Sequence, residues 1–370
     1  MRVSTLIRWF WRLALTGLSL YGILTLWPPT YWPWQWMDFF QKAETPCTPD
    51  TNIVIVDVGQ LSRQQIALLL QRIAAQKPRV IAMDVYFSHR QDSIQDSLLR
   101  ETLCQVAALI PLYLPTDMGD AANPQNQSPQ SVSDTFFTSC PRKAFANLLY
   151  QEHLGGRIIR YTRLYYASPS GFEPSLAWAA AQHLDSTLAP ATLPQPILPI
   201  RYRGNIACFY FLSGRDLLAD TLLPLIFSQK AVFVGLADPL YQHTEDLFFT
   251  PLGIRPFTHT APDMYGVLIH ANITSMLLHR TFWKKLPPAL TYLLGGLGFI
   301  LLGILADIRY SCPYIWVRLT QILLLFILGA LFAYLAYQGY WVEAEVSFLI
   351  LLLGGEICLL TAPKRKPALA

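Results

Sequence analysis

Long apolar runs stand at the two ends of this chain and nowhere between residues 28 and 285. One covers residues 7–27, and three follow at 289–306, 315–337 and 346–361. Each approaches the roughly 20 residues that an α-helix needs to cross about 30 Å of hydrocarbon. The composition agrees. Only 14% of the 370 residues are charged and 53% are hydrophobic, against about 25% charged in an average soluble domain. Yet 27 prolines and long polar stretches do not suit a bundle of spans alone. The pattern reads as a hybrid of membrane helices and one sizeable aqueous domain. A net charge of +4 without dense basic patches argues against a nucleic-acid partner.

The first run carries Arg8 and Arg12, placed to snorkel to headgroups, and continues into PPTYWPWQW rather than a small-residue cleavage site. It reads as an uncleaved signal anchor, with the Trp/Tyr/Pro stretch at the outer interface. Basic residues predict the topology. Arg2, Arg8 and Arg12, then Arg309 and Arg318, then Lys364, Arg365 and Lys366 put both termini and the loop after the second span inside. The connection YQGYWVEAE has two acids and no base, as an outer loop would. The expected layout is an anchor at 1–27, an aromatic/Pro linker at 28–50, an extracytoplasmic domain at 51–285, three spans at 286–362 and a basic tail at 363–370. The domain at 51–285 is thereby expected outside the cytoplasmic membrane.

Between the spans the sequence reads as α/β with a central, mostly parallel sheet. NIVIVDV (52–58) is a buried strand ending in Asp57. In residues 61–76 Ile66, Leu69, Leu70 and Ile73 share a helical face, and Lys77-Pro78 stops the helix. RVIAMDVYF (79–87) is the next strand, so a β-α-β unit should make Asp57 and Asp84 end neighbouring parallel strands. A helix carrying Leu98, Leu99 and Leu103 follows. Residues 116–139 are polar and read as an exposed insertion. Helices are expected at 143–153, 174–184 and 266–278, and strands at 158–167, 197–202 and 231–235. No Walker loop, GxSxG elbow, HExxH or GxGxxG is present. The expectation is therefore a non-enzyme with no cofactor and no metal.

Five phrases in order carry a resemblance: VDV at Asp57, VIAMDVYFS (80–88), RYRGN (201–205), VFVGLADPLYQHTEDLFFTPLG (232–253) and YGVLIHANITSMLL (265–278). After one anchor and before three spans, they resemble the CHASE extracellular sensor domain of the second type, named for cyclases and histidine kinases associated sensory extracellular. The resemblance spans nearly the whole chain. It implies a sensory module of bacterial receptors, periplasmic on an inner membrane, whose spans usually continue into a kinase or cyclase. Here no output domain is expected after the fourth span. The expected partners are then the bilayer, a separate membrane or cytoplasmic protein carrying the output, and a second copy of the chain in a homo-oligomer. The alternative function is a non-catalytic scaffold in an envelope or secretion complex.

Candidate ligand-binding residues follow. Asp57 and Asp84 end strands, where open α/β sheets bind ligands; capping of the next helices is the other role such acids take. Asp246, Thr250 and His270 match the family phrases. His243, Glu245, Asp246 and His259 cluster in sequence, but sequence proximity does not supply metal geometry. Arg201 and Arg203 flank a turn at Gly204, suited to an anion or to pairing with Asp57 or Asp246. Cys47, Cys104, Cys140 and Cys208 lie on the oxidising side and allow three full connectivities; a Cys104–Cys140 bond would shorten the insertion. Cys312 and Cys358 should stay reduced. Within the membrane Glu356 needs a partner, and Arg318 lies at similar depth on the antiparallel third span. An Arg318–Glu356 pair is expected, with docking to another span or snorkelling as alternatives.

Overall fold

The computed structural model describes residues 3–26, 35–43, 48–117, 133–153, 156–168, 171–189, 197–219, 225–240, 244, 246–253, 261–308 and 313–362. The elements run α1 (Val3–Leu26), α2 (Trp36–Ala43), β1 (Asp50–Asp57), α3 (Arg63–Ala75), β2 (Val80–Asp84), α4 (Ser93–Leu109) and β3 (Leu112–Thr116). Then come β4 (Arg142–Phe145), β5 (Leu149–His153), β6 (Gly156–Arg163), β7 (Tyr165–Ser168), β8 (Gly171–Pro174), α5 (Leu176–Leu184), β9 (Ile197–Pro199), β10 (Phe209–Ser213), α6 (Gly214–Ala219) and β11 (Ala231–Gly235). The chain closes with β12 (Leu247–Phe248), β13 (Met264–Tyr265), α7 (Gly266–Leu278), β14 (Lys284–Lys285), α8 (Pro288–Ile308), α9 (Pro313–Tyr337), β15 (Tyr340–Trp341) and α10 (Glu345–Leu360). Two compact units result: a helical one (residues 1–43, 152–154 and 283–370) and an α/β one (44–151 and 155–282).

The α/β unit is built on a six-stranded sheet of order β10-β1-β11-β2-β3-β4, parallel throughout. Its central strands are apolar on both faces, as a sheet covered by helices on each side requires. Val54 and Val56 pack with α3 and α4, while Ile53 and Ile55 pack with α5 and α7. Local signals explain the helices. Ser62 caps α3 in a reciprocal capping box with Gln65. Asp92 caps α4 through the amides of Ile94 and Gln95. Buried Arg63 of α3 pairs with Asp96 of α4, tying the two helices.

Three expectations are corrected. Strand β11 lies between β1 and β2, so Asp57 and Asp84 are not on neighbouring strands; they flank Gly235 in register. Residues 143–153 are not a helix: β4 extends the sheet beside β3, and β5 follows. Pairing to a waiting parallel edge outweighs weak helical propensity there. The strand expected from Ile197 is present as β9, paired antiparallel with β6 in a small separate sheet. Most of the polar insertion (118–132) lies outside the described residues. Its end is partly buried rather than exposed throughout: Ser133, Phe137 and Thr138 are buried, and Phe137 packs against Phe87.

Among the described residues of the helical unit two helices, Pro288–Asp307 and Tyr314–Tyr337, are long and apolar enough to cross a membrane, against four expected. Helix α10 has 16 residues, about 24 Å at 1.5 Å per residue. Helix α1 is long enough but diluted by arginines, serines and threonines. Arg12 does not snorkel. It is fully buried, forks onto Asp307 of α8 at 3.0 and 3.1 Å, and donates to Thr361 Oγ1 at 2.8 Å and Gly303 O at 3.1 Å. A bidentate carboxylate within reach outcompetes water for a guanidinium.

Candidate functional site

The strand order creates the site. The connections from β1 and β2 pass to α3 and α4 on one face, while β11, between them, leads on to α7 on the other. Chains leaving neighbouring strands for opposite faces open a crevice at the carboxyl edge, where α/β sheets hold ligands. Gly235 ends β11 in that crevice, flanked by Asp57 and Asp84. A β-carbon on Gly235 would fall 2.9 Å from Val267 Cβ, so only glycine lets the first turn of α7 seat against the sheet.

Asp84 and Asp246 meet at that first turn. The point where a Gly266 β-carbon would sit is 3.2 Å from Asp84 Oδ2 and 3.1 Å from Asp246 Oδ2. The missing side chain at residue 266 leaves room for both carboxylates. Tyr265, the N-cap of α7, makes no side-chain cap bond. The Gly266 amide instead bonds Asp246. The positive end of the helix dipole partly offsets the repulsion of two acids. Desolvation raises Asp84 to about 7; desolvation and the Asp84 charge raise Asp246 to about 7. Burial, then the charges of Asp84, Asp117 and Asp246, push the Tyr86 phenol above its ordinary value. Tyr86 lies two residues past Asp84, beyond the end of β2, and is 40% exposed. Two raised acids and a phenol place hydrogen-bond acceptors and proton-accepting groups together at this turn, the chemistry that suits a proton, a cation or a donor-rich ligand.

The other expected ligand residues are placed differently. Asp57 Oδ1 accepts from the amides of Gly59 (3.0 Å) and Ala237 (2.8 Å), holding the loops after β1 and β11. Thr250 is buried on Asp263, its hydroxyl donating at 2.6 Å and its amide at 2.7 Å. Burial raises Asp263 to about 6 despite those bonds. His270 lies one turn into α7, 2% exposed. Burial lowers it to about 4, so it is neutral at ordinary pH, although its bond to the Ala146 carbonyl works the other way. Its Nδ1 has no hydrogen-bond partner among the described residues.

Arg201 is at the opposite end of α7. Its amide lies against Met276 Sδ at 3.3 Å, and it lines a cleft of about 260 Å³. Arg203 bonds the Thr48 carbonyl (2.9 Å) and hydroxyl (3.2 Å), so its pairing with Asp57 or Asp246 is corrected. Asn272, fully buried, accepts from the amides of Arg203 and Gly204 and donates to Gly204 O and Leu268 O.

Among the described residues no three His, Cys, Asp or Glu converge as a metal site; His243, Glu245 and His259 lie outside them. Cys104 and Cys140 are joined in a disulfide, and Cys208 is also disulfide-bonded. Cys358 is free and buried; Cys47 and Cys312 lie outside the described residues. In the helical unit Arg318 and Glu356 form a fork, with Nη2–Oε2 at 2.7 Å, and Arg318 also donates to Gln321 at 3.1 Å.

Tyr86, Gly266, Asp263 and Asn272 were not singled out from sequence. Only Tyr86 carried a local signal, its two-residue spacing from Asp84 along the expected strand 79–87. Comparison with curated proteins and with solved structures gives no match. A family model described as CHASE2 domain matches residues 13–305. The α/β fold between apolar helices and this match over most of the chain lead to one conclusion: the chain belongs to the CHASE2 family of sensory extracellular domains.

Proposed function

We propose that this chain is a membrane-anchored sensor whose α/β unit reads an extracytoplasmic signal at the Asp84–Asp246 crevice and passes it along α7. The observation that carries this reading is the position of the acid pair. It lies against the first turn of α7, whose chain continues into the helical unit. A ligand acts only through unequal affinity for two states, and a protonated amine or a proton would relieve the repulsion between the acids. At its far end α7 is fastened to the strand that brings the chain into the domain. Asp50 of β1 accepts from Ser275 Oγ at 2.6 Å and lies 2.9 Å from His279 Nε2. Movement of α7 is thereby shared by the incoming and outgoing chain.

Four spans, with both termini cytoplasmic and residues 28–285 periplasmic, complete the proposal. The Arg12 cluster supports this topology, since it gathers α1 with the carboxyl ends of α8 and α10 on one side of the helical unit. A separate membrane or cytoplasmic protein reads the output; enzymatic activity is not part of the reading.

The test uses the full chain in nanodiscs of zwitterionic lipid. Spermidine is titrated while tryptophan fluorescence is recorded. A saturable change lost in Asp84→Asn and Asp246→Asn is expected. An unaltered response in both variants overturns the crevice as the site. Affinity purification from native membranes should recover an output protein, and a chain isolated alone in mild detergent would count against the sensor role.

A further inference from the structure

The amino edge of the same sheet holds a second cavity, of about 570 Å³, that the reading above leaves unused. It opens between the turn joining α3 to β2, the end of α4, His183 of α5 and Gln229 before β11. Lys77 and Arg79 stand on its wall, both exposed. Arg142 stands behind it, reaching Tyr113 Oη at 3.5 Å, and that hydroxyl lies 3.0 Å from His183 Nε2. Among the described residues none of these three cations has an ion-pair partner. Arg79 spends one nitrogen, Nε, on the His183 carbonyl at 2.9 Å and keeps the rest of its fork. The proximity of Arg142 and Arg79 adds to burial in disfavouring a proton on His183, as unneutralised positive charge would.

The backbone of this cavity is held in an uncommon form. Lys77 and Gln229 both adopt left-handed conformations, with φ of 56° and 59°. The Gln229 amide bonds the Lys77 carbonyl at 3.2 Å, and the Arg79 amide bonds Lys230 O at 2.9 Å. Lys77 occupies the position after a helix end where glycine is the favoured residue. A lysine held there at a conformational cost places its ammonium on the cavity wall. The rim opposite is apolar: Leu109 is 80% exposed beside Pro111.

We propose that this amino-edge cavity binds a phosphate-ester anion, gripped by Lys77 and the free fork of Arg79, with Leu109 against the apolar part of the same molecule. A guanidinium fork and an ammonium are the usual phosphate donors. The same chemistry is offered by an anionic lipid headgroup and by a soluble phosphate ester.

The full chain is placed in nanodiscs of zwitterionic lipid, or of the same lipid with anionic phosphatidylglycerol, at equal ionic strength. Acylation of Lys77 by an amine-reactive reagent is followed by peptide mass spectrometry, with Lys143 as internal reference. At least fivefold protection of Lys77 by phosphatidylglycerol alone assigns a lipid headgroup. Equal protection by inorganic phosphate or glycerol 3-phosphate in zwitterionic discs assigns a soluble ester. Arg79→Gln should abolish protection, and Asp84→Asn, at the other edge, should leave it intact. Both variants must keep the wild-type unfolding midpoint, which the exposure of Arg79 makes attainable. Protection by none of the three probes, or protection undiminished in Arg79→Gln, overturns the proposal.

Discussion

The two ends of the central sheet carry opposite charge and are built by different means. At the carboxyl edge Asp84 and Asp246 lie against the first turn of α7, and the strand order brings them together. At the amino edge Lys77 and Arg79 sit on one short turn, so their neighbourhood is local in sequence. Helix α7 joins the two edges, with the acid pair at its start and the Asp50 contacts at its end. Long-range topology assembles the costly pair of like charges. Local backbone geometry presents the cations. A pair that must be desolvated and held close needs a rigid frame around it, whereas exposed cations need only a turn.

Substitutions along α7 test this contrast, in order of falling effect. Asn272→Ala leaves the Arg203 and Gly204 amides and the Gly204 carbonyl without their buried partner. It should cost about 3 kcal/mol, measured by denaturant unfolding of the full chain in neutral detergent. A loss below about 1 kcal/mol would mean that water replaces the side chain and that the turn is not held by it.

Asp50→Asn should cost about 2 kcal/mol at pH 7. Burial raises the Asp50 carboxyl, but bonds from Ser275, the Asn52 amide and His279 outweigh it and hold the group below 3.8. A lowered carboxyl stabilises the fold above its unfolded value and loses that contribution as pH falls through the folded value. The gap between wild type and Asp50→Asn should therefore close below about pH 4.

The acid pair has the opposite sign. Its folded values are raised to about 7, so the folded state binds more protons than the unfolded one between about pH 4 and 7. Stability should fall as pH rises through that window. Relative to either Asp84→Asn or Asp246→Asn, wild type should gain about 1–2 kcal/mol between pH 8 and pH 5, after allowance for partial exposure. Parallel pH profiles for wild type and both variants would break the contrast between the two edges.

Gly266→Ala is the mildest of the four. The added methyl presses to within 3.3 Å of both carboxylates and should cost about 0.5–1 kcal/mol. The cost should be larger at pH 8, where the acids are charged and the methyl desolvates them further, than at pH 5.

Apolar patterning and the Lys77-Pro78 stop made α3, α4, α5 and α7 legible, because those signals act within a few residues. The expected span 266–278 and the observed α7 have the same limits. The segment 143–153 was misread because its strand character comes from β3 alongside it. Arg12 was misread for a similar reason: a snorkelling arginine and one forked onto Asp307 look alike until α8 is placed against α1. Of the candidate site, Asp84 and Asp246 were each named from sequence, but nothing in their spacing joined them.

What the sequence by itself determined was local or additive: apolar runs at both ends, an α/β domain between them, and the helices whose apolar patterning is written in short windows. Only the tertiary structure decided that β11 lies between β1 and β2. That insertion places Gly235 between two acids, seats α7 at the crevice, and closes Asp246 on Asp84. The physical reason is that strand order and carboxylate proximity are set by which buried faces fit together across the whole domain, a constraint that no short stretch of residues carries.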